Sequence, residues 1–196
     1  MENFVLDTIG GLMKGDQLTG VRNYIGIDNE GVAKRGILAS ASALMSSLSQ
    51  MASTPAGANG LKNMISVIDP TIADDITTYL QNPTSANGTQ LLEEFLGKDL
   101  STIANKITKA TKLDSSAVNR LLPVIAPIVI STVSKAIKSQ GLSADDLPKF
   151  LKDQVGYLRT LTPGLMGFLE RIDANDDGSV LDDISRLADR IFGGKK

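Results

Sequence analysis

The sequence predicts an all-α fold, a compact bundle of about nine or ten helices with no sheet. Hydrophobic residues make up 42% of the 196 residues and aromatic residues only 4%, a composition typical of a folded chain built on aliphatic packing. Helix-start signals recur along the chain, and no run shows the sustained apolar–polar alternation of a strand. Together these observations favour helices throughout.

Three segments carry the residue types that begin helices. Before TIADDITTYL, Asp69 has the side chain of an N-cap, and Pro70 follows it at the first helical position. Thr89 has the hydroxyl of an N-cap before LLEEFLG, and Ser143 with Asp146 three residues later resembles a capping box before LPKFLKDQV. We therefore predict helix starts at these three places.

The most apolar segment is LDSSAVNRLLPVIAPIVISTVSKAIKSQGL, residues 113–142. Its large aliphatic side chains cover more than one face, which predicts a helix in the middle of the core. Pro123 and Pro127 each lack an amide donor, so the helix is expected either to bend or to begin late. The residues predicted to be buried are Leu121, Leu122, Val124, Ile125, Ile128, Val129 and Val133.

Two segments rich in Gly, Pro, Ser and Asn, residues 53–60 and 81–89, are candidate linkers. They suggest a division into an N-terminal half, residues 1–85, and a C-terminal half, residues 86–196. A shift of the chain by 86 residues supports two degenerate helical repeats, although amphipathic helices also resemble one another by chance. The shift aligns Leu6 with Leu92, Gly11 with Gly97, Val21 with Ile107, Asp28 with Asp114, Val32 with Val118, Leu44 with Ile130 and Leu61 with Leu147.

The chain contains no Cys and no His. Disulfides, thiolate nucleophiles and nearly all structural zinc sites are thereby excluded, as is the commonest general base. We therefore expect no enzymatic activity and no catalytic residue. The alternative is an enzyme, a carboxylate-based hydrolase. The acidic pairs that could serve it, at 74–75, 93–94 and 145–146, lie where first helical turns are expected, which favours a structural role for them.

The formal net charge of −2 is unevenly distributed. Residues 1–97 carry 5 basic and 10 acidic side chains, and residues 98–152 carry 9 and 4. Residues 153–196 carry 6 and 8. Basic residues of the middle segment could contact phosphates, which makes a nucleic-acid-associated module a further alternative. No nucleic-acid motif accompanies them, so a solvated helix face is the preferred interpretation.

The segment IDANDDGSVLDDISRLADRIF carries the most specific chemical pattern. Asp173, Asn175 and Asp177 stand two residues apart, and Gly178 follows them. Oxygen ligands at positions 1, 3 and 5 with Gly at position 6 form the first half of an EF-hand loop, and the carbonyl of Ser179 would be the ligand at position 7. We predict an EF-hand-like or dockerin-like Ca²⁺ loop at residues 173–183, before the last helix.

The second half of this loop departs from the EF-hand pattern. Ile184 occupies position 12, so Asp182 or Asp183 would have to supply the closing carboxylate. The alternative is a metal-free turn in which Ser179 and Asp182 form a capping box. Mutual repulsion among the clustered acids favours a bound cation. We expect Ca²⁺ and not Mg²⁺, because Mg²⁺ gives up its water reluctantly.

The first residues indicate no signal peptide, because Glu2 and Asp7 stand where positive charge is expected. The uncharged stretch 36–61 is too rich in Ser, Gly and Ala to span a membrane, and the stretch 121–134 is too short. Both are interpreted as buried helices. A cytoplasmic location follows, with leaderless export as the open alternative.

Residues 96–137, which contain the Leu-Leu-Pro and Ala-Pro steps, precede the Asp-Gly-Ser loop and paired Asp of residues 164–194. In this order the two parts resemble the YidB-like family of bacterial proteins, domain of unknown function 937, over roughly residues 92–194. The chain differs from the family at Lys112-Leu113-Asp114, where a Gly-containing turn is usual, and at Ser131-Thr132, where small Gly residues are preferred. The resemblance implies a helical bacterial protein without an established activity.

These observations favour a non-enzymatic structural or interaction protein, a calcium-stabilised helical scaffold that binds another protein or copies of itself in rings or filaments. The segment GILASASALMSSLSQMA, residues 36–52, is rich in small residues that permit close backbone approach. It is expected to pack either against the Leu-Leu-Pro helix of its own chain or against a second copy. Contacts between acidic residues 1–97 and basic residues 98–152 would favour head-to-tail association.

Overall fold

The computed structural model describes residues 4–66 and 68–158, and all regular structure in these residues is helical. The all-α prediction is confirmed for this part of the chain, whereas the number of helices in the whole chain stays a prediction. The α-helices are α1 (Phe4–Leu12), α2 (Gly15–Ile25), α3 (Glu30–Met51), α4 (Pro55–Ser66), α5 (Ile76–Tyr79), α6 (Gly88–Leu96), α7 (Leu100–Thr111), α8 (Ser115–Gln140) and α9 (Leu147–Leu158). Short 3₁₀ helices span Pro70–Ala73, Pro83–Ala86 and Gly97–Asp99.

Helix α8 runs through the core, as its apolar sequence predicts. The carboxylate of Asp114 caps it by accepting a hydrogen bond from the Ala117 N–H at 2.7 Å, and Gly141 ends it in a left-handed conformation. The helix does not begin late, since Pro123 and Pro127 both lie inside it. All seven aliphatic residues predicted to be buried are buried.

Helix α8 is long and apolar enough to cross a membrane, judged by its length and composition. However, 83% of its most apolar window is buried within the protein. Such burial is typical of the central helix of a packed core, in which the surrounding helices cover the apolar side chains.

The small-residue segment of α3 packs within its own chain. A Cβ atom added at Gly36 would collide with the side chain of Leu113 and touch that of Leu121, so α3 approaches the start of α8 closely. The residues from Gly36 to Met45 are all buried, and α3 also contacts α7 and α9. Of the two arrangements expected for this segment, the intrachain one is observed.

The order of the helices recurs after 86 residues. This shift carries α1 onto α6, α2 onto α7 and α3 onto α8, and it brings Leu61 of α4 to Leu147 at the start of α9. Gly26 and Lys112, which are 86 residues apart, both adopt left-handed conformations after α2 and α7. The order of the helices and these two left-handed ends match at the 86-residue shift, whereas the N-caps of α3 and α8, Asn29 and Asp114, are 85 residues apart. The duplication therefore stays a prediction.

The two halves pack across each other. Helix α2 contacts α8, and its counterpart α7 contacts α3; likewise α9 contacts α3 and α4 contacts α8. Buried residues from both sides of position 85 form one hydrophobic cluster. The guanidinium of Arg120 in α8 adds a polar link, since it donates to the carbonyl of Ile25 at the end of α2.

The predicted helix starts have different outcomes. Asp69 caps the 3₁₀ helix at Pro70, and its carboxylate accepts a hydrogen bond from the Thr71 N–H at 2.9 Å. The carboxylate of Asp146 accepts from the Ser143 N–H at 2.8 Å, which is the reciprocal bond of a capping box. The predicted cap at Thr89 is wrong because α6 already begins at Gly88.

Candidate functional site

The predicted calcium loop, residues 173–183, lies outside the described residues. Within residues 4–66 and 68–158, no three or more Asp and Glu side chains come together in a way that could hold a metal ion. The predicted ligands therefore stay a prediction from the spacing of the sequence: Asp173, Asn175, Asp177, Ser179, Asp182 and Asp183.

The described part of the chain contains a cleft of about 480 Å³ between α2, α6 and α8. Pro83 and Val124, which are buried, contribute apolar lining, and the ring of Tyr24 from α2 also lines the cleft. The side chain of Tyr24 is 37% exposed, and among the described residues no other large hydrophobic side chain is classed as exposed. An accessible aromatic ring inside a concave site marks this cleft, defined here as the α2–α6–α8 cleft, as a candidate binding site.

The polar lining of the cleft is mostly neutral. Two residues carry opposite formal charges, Arg120 and Glu93, and the other polar side chains are amides and hydroxyls. The Arg120 guanidinium donates to the Ser116 hydroxyl and to the Ile25 carbonyl, both at 2.5 Å, so two of its hydrogen bonds fix its position. The formal charges of the lining therefore cancel.

One wall of the cleft coincides with an interruption of the hydrogen-bond ladder of α8. Pro123 cannot donate to the carbonyl of Asn119, and Pro127 cannot donate to the carbonyl of Pro123. Gly88 at the start of α6 packs against the Pro123 carbonyl so closely that an added Cβ atom would overlap with it. Asn87, before it, adopts a left-handed conformation with φ of 49°. Close packing at Gly88 therefore places the first turn of α6 beside α8.

A second cavity, of about 300 Å³, lies beside the first and contains two carboxylates, Asp69 and Glu94. Hydrogen bonds from the hydroxyl and the N–H of Thr71 lower the pKa of Asp69. The Glu94 carboxylate accepts from the Gln90 amide at 2.8 Å. A general acid needs the opposite pKa shift, so the environment of Asp69 is that of a helix cap.

Other predicted acidic pairs also serve local structure. The Asp75 carboxylate caps α5 by accepting from the N–H and hydroxyl of Thr78, which lowers its pKa, and Asp74 forms an ion pair with Lys135. The hydroxyl and N–H of Ser143 lower the pKa of Asp146 in the same way. These acids serve local structure, but the predicted first-turn positions are wrong. Asp75 is the N-cap of α5, Asp146 precedes α9, and Glu93 and Glu94 lie in the second turn of α6.

The basic middle segment places an exposed set of lysines on and around α7. Lys98, Lys109 and Lys112 are exposed and form no hydrogen bond or ion pair within the described residues. The opposite side of α7 is buried through Ile103 and Ile107. This α7 lysine surface, defined by Lys98, Lys109 and Lys112, is therefore held towards solvent by the packing of α7.

The sequence did not indicate the α2–α6–α8 cleft, because its residues come from segments far apart in the chain. Tyr24 is a single tyrosine on an amphipathic helix, and Asn119 and Arg120 lie in the polar first turns of α8. The available signal was the pair Asn87-Gly88 together with two prolines four residues apart in a helix. That combination indicates an unusual backbone approach, but not the residues that would surround it.

Comparison with known proteins identifies one match. The family described as bacterial protein of unknown function (DUF937) matches residues 7–136, which is well over half of the chain. This family is the one the sequence motifs indicated, but the matched residues begin in α1 and end within α8 instead of spanning 92–194. The N-terminal half thus carries much of the match, and no curated protein or solved structure matches significantly.

Proposed function

The chain belongs to the bacterial protein family of unknown function DUF937, and from this premise we propose that it is a non-enzymatic helical scaffold that associates with itself in the cytoplasm. The proposal includes local stabilisation by Ca²⁺ bound at residues 173–183. The observation that carries it is the α7 lysine surface, an exposed set of cations without partners among the described residues.

The lysines have potential partners of opposite charge on the same fold. Asp16 and Asp28 are exposed acidic residues of the N-terminal segment 1–97, which carries more acids than bases. Because both halves of the chain form one core, every copy presents both charged regions. Attraction between the α7 lysine surface of one copy and acids of the next favours head-to-tail contacts, which give rings or filaments.

Sedimentation velocity of the full chain over a range of protein concentrations tests the proposal. We expect species larger than the 20.7 kDa monomer at about 50 mM salt and their dissociation at about 500 mM salt, because screening weakens contacts between exposed charges. The double variant Lys109→Glu/Lys112→Glu should lower the association. Lys14→Glu/Lys152→Glu, which makes the same charge change on other exposed lysines, should leave it unchanged. A monomer under all conditions would refute self-association.

The same lysines support the rival nucleic-acid function, so the two must be separated. Binding of a DNA duplex that falls with salt and is lost in Lys109→Glu/Lys112→Glu, in a chain that stays monomeric, would favour the rival. Self-association without duplex binding supports the scaffold.

A further inference from the structure

We propose that the α2–α6–α8 cleft binds a neutral saccharide and that the ring of Tyr24 is its stacking surface. This function goes beyond the scaffold, because the cleft lies on a part of the surface defined by α2, α6 and α8 and not on the α7 lysine surface.

The size and shape of the cleft suit a ligand of one or two sugar rings. Its volume of about 480 Å³ lies within the range of small-molecule sites in proteins. The apolar part of the lining comes from Tyr24, Pro83, Pro123 and Val124, and it is about as large as the polar part. A sugar ring has one face of C–H groups that packs on an aromatic ring and a rim of hydroxyls that needs polar partners. The cleft offers both kinds of surface.

The polar groups of the cleft are available for hydrogen bonding. The side chains of Asn87, Thr89 and Asn119 line it and form no hydrogen bond within the described residues. Each amide provides two donors and an acceptor oxygen, and the hydroxyl provides one donor and an acceptor. Such neutral groups suit the hydroxyls of a saccharide, which both donate and accept.

The charges of the cleft favour a neutral ligand. Arg120 and Glu93 contribute opposite charges, so a ligand with a strong charge of either sign would meet attraction from one and repulsion from the other. Both are also planar groups with several donor or acceptor positions, which can bind adjacent hydroxyls. The formal balance therefore disfavours phosphates and polycations relative to neutral polyols.

The elements that carry these groups are held in place by packing. Asn119 and Arg120 belong to the core helix α8, and two hydrogen bonds fix the guanidinium of Arg120. Gly88 packs against the carbonyl of Pro123, which fixes the start of α6 and the neighbouring Asn87. Preformed geometry lowers the entropy cost of binding, which is needed for a ligand whose individual hydrogen bonds replace bonds to water.

Titration of the full chain with cellobiose, maltose and N,N′-diacetylchitobiose, followed by saturation-transfer NMR and tyrosine fluorescence, tests the proposal. The chain has no Trp and three Tyr, and Tyr79 is buried, so the fluorescence change reports mainly on Tyr24 and Tyr157. We expect saturable binding of at least one disaccharide. Tyr24→Ala should weaken it about tenfold, whereas Tyr24→Phe, which keeps the ring, should bind within about twofold of the unaltered chain.

Three controls make the result decisive. Thermal unfolding should show that Tyr24→Ala keeps its fold, and Asn119→Ala should weaken binding without removing the stacking ring. Inorganic phosphate and a free amino acid serve as charged probes of the same cleft. Absence of binding by all three disaccharides, equal binding by Tyr24→Ala, or binding of only a charged probe would each overturn the proposal.

Discussion

The amide oxygen of Gln154 accepts a hydrogen bond from the backbone N–H of Val5 at 3.1 Å, which joins α9 to the first turn of α1. Gln154 is fully buried, and first-turn amides have no acceptor within their own helix. Replacing Gln154 with Leu keeps the volume but leaves the amide of Val5 buried without a partner. We expect the free energy of unfolding to fall by about 1–3 kcal/mol in urea titrations. Lys152→Ala, an exposed change on the same helix, is the control, and equal stability of both variants would contradict the role of this bond.

Gly88→Ala should destabilise the protein. The new methyl group would overlap with the carbonyl of Pro123, so α6 must move away from α8, at a cost of about 1–3 kcal/mol. Gly60→Ala is the matched control, since a Cβ atom there meets nothing within 4 Å in the interior of α4. Greater helix propensity should raise its stability by about 0.5–1 kcal/mol. Chemical denaturation measures both, and the same sign for the two variants would contradict the close approach at Gly88.

Lys112→Gly should stabilise the chain, and Gly26→Ala should destabilise it. Both positions have left-handed backbones, with φ of 63° and 73°, a conformation that costs residues with a Cβ atom about 1 kcal/mol. The expected changes in the free energy of unfolding are about +0.5 to +1 kcal/mol for Lys112→Gly and the reverse sign for Gly26→Ala. Thermal denaturation ranks the stability of the two variants and the unaltered chain. A loss of stability in Lys112→Gly would show that the lysine side chain contributes more than the backbone strain removes.

Ile125→Ala or Ile128→Ala should lower the free energy of unfolding by about 2–5 kcal/mol, because both side chains are fully buried in α8 and their truncation leaves a cavity. Lys138→Ala, an exposed change in the same helix, should alter it by less than about 0.5 kcal/mol. Urea denaturation with an unchanged slope would attribute the difference to the native state. A similar small effect at all three positions would rule out α8 as the centre of the core.

Addition of Ca²⁺ should raise the melting temperature, and a chelator should reverse the rise. At a free Ca²⁺ concentration of about a hundred times the dissociation constant, mass action stabilises the folded state by about 2.7 kcal/mol. Calorimetric titration of the full chain measures binding directly. Asp173→Ala/Asp177→Ala should abolish the effect, whereas Asp74→Ala/Asp75→Ala, which removes the same charge elsewhere, should retain it. If millimolar Ca²⁺ gives neither a heat of binding nor a rise in the melting temperature, the predicted site is refuted.

Helix content and the core were predictable because they depend on local patterns. Helix α8 carries aliphatic side chains on more than one of its faces, and these leave water only if the helix lies inside the core. Leu121, Ile125 and Val129 are buried accordingly. The caps at Asp69 and Asp146 were predictable for the same reason, since each carboxylate bonds to residues two or three positions away.

Features that depend on distant residues were not predictable from local patterns. Thr89 has the residue type of an N-cap, but the packing of Gly88 against α8 moves the helix start earlier. Lys112 takes a left-handed conformation at the turn where the family resemblance leads one to expect Gly, because the connection from α7 to α8 requires it. The α2–α6–α8 cleft likewise exists only after three helices from both halves have packed together.

The crossed packing of the two halves has a consequence for synthesis of the chain. When residues 4–66 leave the ribosome, α3 still lacks α7 and α9, and α2 and α4 lack α8, because these partners have not been translated. The nascent chain therefore exposes the small-residue face of α3 until residues near 158 emerge. We expect ribosome-bound chains that stop after α4 to be sensitive to protease and to recruit chaperones, and those that extend past α9 to become protected in a single step.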